Sequence, residues 1–243
     1  VNTLESQAAD DKDIPSSWAV TEIDKAFEYG LTTWRILSNF RADITREEFC
    51  ELAVKLYEVL VKEESTVYTY NPFDDTDNSK VLKAYNLGIV KGVSKKRFNP
   101  ENPITRQEIC VMIYRTLNLA LPELKTDIIS GLDFSDKNLI ASWAVDAVGF
   151  LNNQGIMKGT GNNRIEPLKN TTREEAIALV KRTYEEFSDV PNGNEHFDKK
   201  EGEHSNDDTK SRAISEAEGA PKDEFKDELK NEPESEDESE DNV

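Results

Sequence analysis

Apolar residues recur at helical spacing in three stretches of the chain, and each stretch opens on Thr-Arg-x-Glu. Phe49, Cys50, Leu52, Ala53 and Leu56 follow Thr45-Arg46-Glu47-Glu48. Ile109, Cys110, Met112 and Ile113 follow Thr105-Arg106-Gln107-Glu108, and Ile177, Leu179 and Val180 follow Thr172-Arg173-Glu174-Glu175. Offsets of three and four residues put each set on one face of a helix. A shorter helix is expected before each: Val145, Val148 and Leu151 form such a stripe after Trp143, and Gly155 suits a left-handed residue at its end. The Gly- and Asn-rich run from Gly159 to Asn163 reads as a turn, and Pro100 and Pro167 end the extended stretches that lead to the second helices.

The tetrapeptides stand 60 and 67 residues apart, and much around them recurs. Gly88-Ile89-Val90-Lys91-Gly92 matches Gly155-Ile156-Met157-Lys158-Gly159, each Gly lying 18 residues before the motif Arg. Trp18-Ala19-Val20 precedes Gly30 by the same 12 residues that separate Trp143-Ala144-Val145 from Gly155. The first copy lacks the second Gly and the Pro, and the second copy lacks the Trp. The boundaries expected are a linker over 1–10, repeats over 11–65, 66–122 and 123–189, and a tail over 190–243. Two helices of this size bury little alone, so three units must pack together. The fold class is all-α: three tandem helix–loop–helix repeats, with the second helices converging on a pseudo-threefold core.

Charge narrows the function. The formal net charge is −19, and roughly two thirds of it falls in 190–243, where about 19 acids face about 7 bases. That tail has too few large apolar residues to offset its ordering entropy and is expected to be disordered. An acidic fold and tail argue against nucleic-acid binding. No apolar run is long enough to span a bilayer. Val1 follows no signal-peptide pattern and is expected to be a processed or fragment end. Both histidines, His196 and His204, lie in the tail, so the folded region lacks the commonest general base and metal ligand. Cys50 and Cys110 occupy equivalent positions where the third copy has Ile177, which favours a buried apolar site over a disulfide and, with no His or further Cys beside them, argues against a two-Cys metal site. The run from Asp74 to Asn78 lacks the Gly and Glu of a calcium loop and reads as a turn or helix cap. No metal or cofactor is expected.

The repeated tetrapeptide divides chemically. Thr at the N-cap and Glu three residues on form a capping box, worth on the order of 1 kcal/mol per helix and carrying no function. Arg46, Arg106 and Arg173 stand at the first helical position, where the dipole disfavours a cation. Two readings account for them: a salt bridge within or between repeats, with Asp13, Asp75 and Asp136 as candidate partners, or an anion site made with first-turn amides. The equivalent bases Lys91 and Lys158, and Arg97 and Arg164, fit either positive grooves or solvated loops. Trp18 and Trp143 fit either core anchors or flat faces for sugar stacking.

Phe-x-Asp (Phe73-Asp74-Asp75, Phe134-Ser135-Asp136), Trp-Ala, Gly-Ile-x-x-Gly, Phe-x-Pro and Ile-Thr-Arg-x-Glu, in that order and in triplicate, resemble the S-layer homology domain. The resemblance covers about 11–187. It implies a three-sided prism around a central three-helix bundle, with grooves between repeats. It also implies non-covalent, non-catalytic anchoring of a bacterial surface protein to a secondary cell wall polysaccharide, commonly one carrying pyruvylated N-acetylmannosamine. Carried over, the ligand-binding positions are Arg46, Arg106 and Arg173, with Gly88 and Gly155 at the close-approach position and Trp18 and Trp143 in the groove; Lys91 and Lys158 join them as repeated loop bases. Location at the cell wall or S-layer, no membrane insertion and contact with neighbouring surface-protein segments are further implied. Glu47, Gln107 and Glu174 stand where the family often has Ala, which puts acid beside two of the arginines. The competing expectation is a scaffold of degenerate repeats without glycan binding.

Overall fold

The computed structural model describes residues 13–66, 70–126 and 131–191. The expected linker at 1–10 and nearly all of the expected tail lie outside the described residues. Among the described residues there are six α-helices and no strand: α1 Val20–Glu28, α2 Arg46–Val61, α3 Ser79–Asn86, α4 Arg106–Ala120, α5 Val145–Asn153 and α6 Arg173–Phe187. None is long and apolar enough to cross a membrane.

The long helices begin where the tetrapeptides place them. Thr45, Thr105 and Thr172 are the N-caps of α2, α4 and α6, each with its capping box to Glu48, Glu108 or Glu175. Every residue of the three expected apolar stripes is buried. The short helices end in a left-handed glycine, at Gly30, Gly88 and Gly155, with φ of 71°, 76° and 68°. The register of α5 differs from its expected stripe: Val148 and Leu151 are buried, but Val145 is exposed, and Ala144, Ala147 and Phe150 complete the inner face. A 3-10 turn over Ser142–Ala144 runs directly into the helix at Val145.

Helices α2, α4 and α6 pack on one another as a central bundle. The short helices close it in a way the repeat pattern does not announce. Each packs on the long helix of the preceding repeat: α3 on α2, α5 on α4, and α1 on α6. The order is cyclic, so the first repeat is closed by the third.

Backbone hydrogen bonds at the entry to the long helices follow the same cycle. Ile44 N–H donates to Thr171 O (2.9 Å), Thr171 N–H to Ile104 O (3.1 Å) and Ile104 N–H to Ile44 O (3.1 Å). One step along, the amides of Arg46, Arg106 and Arg173 donate to the carbonyls of Asn102, Lys169 and Ala42. The next amides, of Glu47, Gln107 and Glu174, donate to Pro100, Pro167 and Phe40. The first two amides that helix geometry leaves orphaned on each long helix are thereby satisfied by the next repeat, and the third by the capping Thr.

Both cysteines are buried and free, Cys50 on α2 and Cys110 on α4. Burial pushes the Cys110 thiol up to about 12 and holds the Cys50 thiol protonated as well.

Candidate functional site

The motif arginines lie in the joints between repeats. Arg46 donates through Nε to Phe98 O (3.1 Å) and through Nη2 to Lys91 O (3.3 Å), and pairs with Glu108 at 3.4 Å. Its guanidinium also lies 4.8 Å from the Phe98 ring centroid. Arg106 donates through Nε to Ile165 O and through Nη2 to Lys158 O, both at 2.9 Å. Arg173 donates to Ser38 O (3.1 Å) and pairs with both carboxylate oxygens of Glu48. All three guanidinia thus hold the loop of the next repeat, and Arg106 is buried. With the first-turn amides committed to carbonyls, the salt-bridge reading describes Arg46 and Arg173. Their carboxylate partners are the capping-box glutamates Glu108 and Glu48, rather than the aspartates named from the sequence.

Those aspartates have another task. The Asp75 carboxylate accepts from the amides of Phe98 and Asn99, and Asp136 from those of Ile165 and Glu166, all at 2.9 Å. Asp13 accepts from Asn39 N–H at 2.9 Å. Asn39, Asn99 and Glu166 are left-handed, with φ of 49°, 56° and 51°, so each clamp fixes a turn that an L-residue adopts reluctantly. Burial opposes charge on Asp75 and Asp136, but the amide hydrogen bonds prevail, and both pKa values lie below the ordinary carboxylate range. Arg97 and Arg164 approach the same aspartates, at 3.9 and 3.5 Å. Lys91 and Lys158 are exposed, and their carbonyls serve Arg46 and Arg106.

The residue between Arg and Glu in each tetrapeptide seats the short helix that follows. Glu47 accepts from Thr76 Oγ1 (3.1 Å) ahead of α3, and Gln107 accepts from Ala141 N–H (3.0 Å) ahead of α5. Glu174 accepts from both the amide and the hydroxyl of Ser16 ahead of α1.

Trp18 and Trp143 are not core anchors: they are 48 % and 55 % exposed. Trp143 lines a cleft of about 440 Å³ between α4 and α5, together with Gly88, Tyr114, Arg115, Asn118 and Asp146. A Cβ on Gly88 would meet nothing within 4 Å, so its need for glycine is the positive φ. The close approaches fall at the second glycines, where a Cβ on Gly92 would lie 2.7 Å from the Phe73 ring and one on Gly159 would lie 2.9 Å from the Phe134 ring.

Arg115 is the cation of the cleft. It donates to Ile89 O at 3.4 Å, and no carboxylate among the described residues lies within ion-pair distance. Burial pulls its pKa below the usual guanidinium value, but an arginine keeps its charge at any physiological pH. The structure therefore brings Trp143 and Gly88 together around a base that the sequence reading passed over. A signal for it was present: Lys55, Arg115 and Arg182 each stand ten residues after the motif Thr. The cleft offers a flat aromatic face beside an uncompensated guanidinium, suited to a ring-shaped polar ligand with a carboxylate. Among the described residues no group of acids, Cys or His is placed to hold a metal ion.

Comparison with known proteins fits this architecture. The family model for the S-layer homology domain matches residues 72–110 and 133–177. An amylopullulanase of Thermoanaerobacterium thermosulfurigenes is 28 % identical over 172 residues, covering 69 % of this chain and 9 % of the relative. The exoglucanase XynX of Acetivibrio thermocellus is 32 % identical over 143 residues, 56 % of this chain and 12 % of the relative. A cell surface protein of Thermoanaerobacter kivui is 27 % identical over 117 residues, 46 % of this chain and 15 % of the relative. The chain spans only a small part of each relative, and what it shares with the two enzymes is a non-catalytic stretch. Residues 72–110 and 133–177 of this chain are S-layer homology domains, the kind of module that generally anchors proteins to the bacterial cell wall.

Proposed function

We propose that this module anchors its protein by holding an anionic secondary cell wall polysaccharide, with the α4–α5 cleft as the seat of one acidic sugar. The observation that carries the reading is Arg115: a half-buried cation without a carboxylate partner among the described residues, in a cleft edged by the exposed ring of Trp143. A pyruvyl ketal places a carboxylate on a pyranose ring. Its carboxylate would take charge-assisted bonds from Arg115 while C–H groups of the ring lie against the indole. Arg106 belongs to the site as the residue that fixes the neighbouring loop, by its bonds to Lys158 O and Ile165 O. Arg46 and Arg173 fill the same place in the other two joints. Lys91 and Lys158 add exposed positive charge on the loops that these arginines hold.

Co-sedimentation with purified sacculi tests this. The protein should pellet with intact walls and stay in solution after the secondary polymer has been chemically removed. Trp143→Ala and Arg115→Ala should each reduce retention about tenfold, since either contact is worth roughly 1–2 kcal/mol. Pelleting that survives removal of the polymer would overturn glycan anchoring, and no pelleting with intact walls would leave the scaffold reading.

A further inference from the structure

The cyclic packing creates three quasi-equivalent helix pairs, α4–α5, α2–α3 and α6–α1, and internal register makes them comparable position by position. The base at the position of the cleft-lining Arg115 is Lys55 in the second pair and Arg182 in the third. What faces that base differs. In the α6–α1 pair, Glu22 lies four residues after Trp18 and takes Arg182 through Nε (3.2 Å) and Nη2 (2.8 Å). The other Glu22 oxygen lies 3.0 Å from Lys181, which also pairs with Glu185. Burial opposes the charge on Lys181, yet the bonds to Glu185 and Glu22 prevail and raise its pKa. In the α2–α3 pair, Glu58 is buried and gathers Lys83 at 2.9 Å, Lys80 at 3.8 Å and Lys55 at 3.9 Å. Toward the start of α2, Arg35 bridges Glu47 and Glu51 at 3.1 and 3.0 Å, and Thr76 stands where the other two repeats have Trp.

The α4–α5 cleft departs at two positions. Ala147 stands where α1 has Glu22 and α3 has Lys80, and Asn118 stands where α2 and α6 have Glu58 and Glu185. Both line the cleft, and neither can pair with Arg115. Asp146 also lines it, but forms no ion pair with Arg115. We infer that this chain has one functional glycan groove, opened by Ala147 and Asn118, while the other two are occupied by carboxylates of the protein itself. The inference rests on the glycan reading and refines it from a repeated site to a single one. A resident carboxylate competes with a ligand carboxylate for the same guanidinium, and it does so without the entropy cost of association. The three-copy architecture then supplies the frame for one site, and no avidity arises within the chain.

Isothermal titration with a pyruvylated N-acetylmannosamine glycoside separates the outcomes. The expected stoichiometry is one per chain, unchanged in Lys55→Ala and Arg182→Ala. Ala147→Glu should weaken binding at least tenfold, with Ala147→Gln as the size control that retains it. Asn118→Glu, at an exposed position, is the second closing variant should Ala147→Glu fail to fold. Two or three equivalents per chain, or wild-type affinity in the glutamate variants that fold, overturns the single groove and leaves the anchoring reading standing. No binding of the glycoside by the unmodified protein overturns both.

Discussion

At the scale of single residues, the arginine of the tetrapeptide is a joint before it is anything else. Removing Arg106 strips the hydrogen bonds from the carbonyls of Ile165 and Lys158 inside the protein, so Arg106→Ala should destabilise the fold by about 3 kcal/mol. Thermal or urea denaturation reads this directly, and a loss under about 0.5 kcal/mol would show the joint to be dispensable. The same variant lowers wall retention through folding, whereas Arg115→Ala should lower retention with an unchanged melting temperature; the pair of measurements separates frame from site. Glu166 supplies a test of the opposite sign. It is left-handed at a position where the other two repeats have Asn39 and Asn99. Glu166→Asn relieves a side chain poorly suited to that conformation and should stabilise the protein by about 0.5 kcal/mol, despite losing a 3.7 Å pair with Lys169.

At the scale of elements, the caps and clamps are electrostatic, and pH reads them. Asp75, Asp136, Glu22 and Glu58 all have pKa values held below their ordinary range, each against the opposing effect of burial. A depressed carboxylate binds more protons unfolded than folded. Its contribution is complete above the unfolded pKa near 4 and is lost as pH falls through the folded value. Stability should therefore be flat from about pH 7 to 5 and fall steeply below about pH 4. Asp136→Asn should cost about 2 kcal/mol at pH 7 and make the acid limb shallower; an unaltered limb would show that Asp136 titrates normally. Much at this scale was legible in the sequence. Capping boxes, apolar stripes and left-handed glycines depend on neighbours within a turn, so Thr45, the Phe49–Leu56 stripe and Gly155 could be read from spacing alone. The seats made by Glu47, Gln107 and Glu174 could not, because each partner belongs to the next repeat, with Ser16 lying 158 residues from Glu174. The cleft escaped for the same reason. That Arg115 recurs as Lys55 and Arg182, and that Asn118 replaces Glu58 and Glu185, is visible in the repeat, but that Ala147 of another helix faces the same cleft is not.

At the scale of the molecule, the cycle decides how the repeats depend on one another. A linear array of repeats unfolds piecewise when each unit is stable in itself. Here no short helix packs on its own repeat's long helix. The α1 face is completed by α6, and the side chains of Arg173 and Glu174 of the third repeat bond to Glu48, Ser38 and Ser16 of the first. Opening one joint strands buried groups on both sides, so the three repeats should unfold as one cooperative unit. The tryptophans allow the test, because Trp18 and Trp34 belong to the first repeat and Trp143 to the third. In variants keeping one tryptophan each, urea titrations followed by fluorescence should give the same midpoint wherever the probe lies, after correction for each variant's own stability by far-UV dichroism. A Trp18 transition well below that of Trp143 would mean that the first repeat opens alone. The bonds from α6 to the first repeat would then be too weak to close the cycle, and Arg182 and Glu22 would part in a state the closed structure does not display.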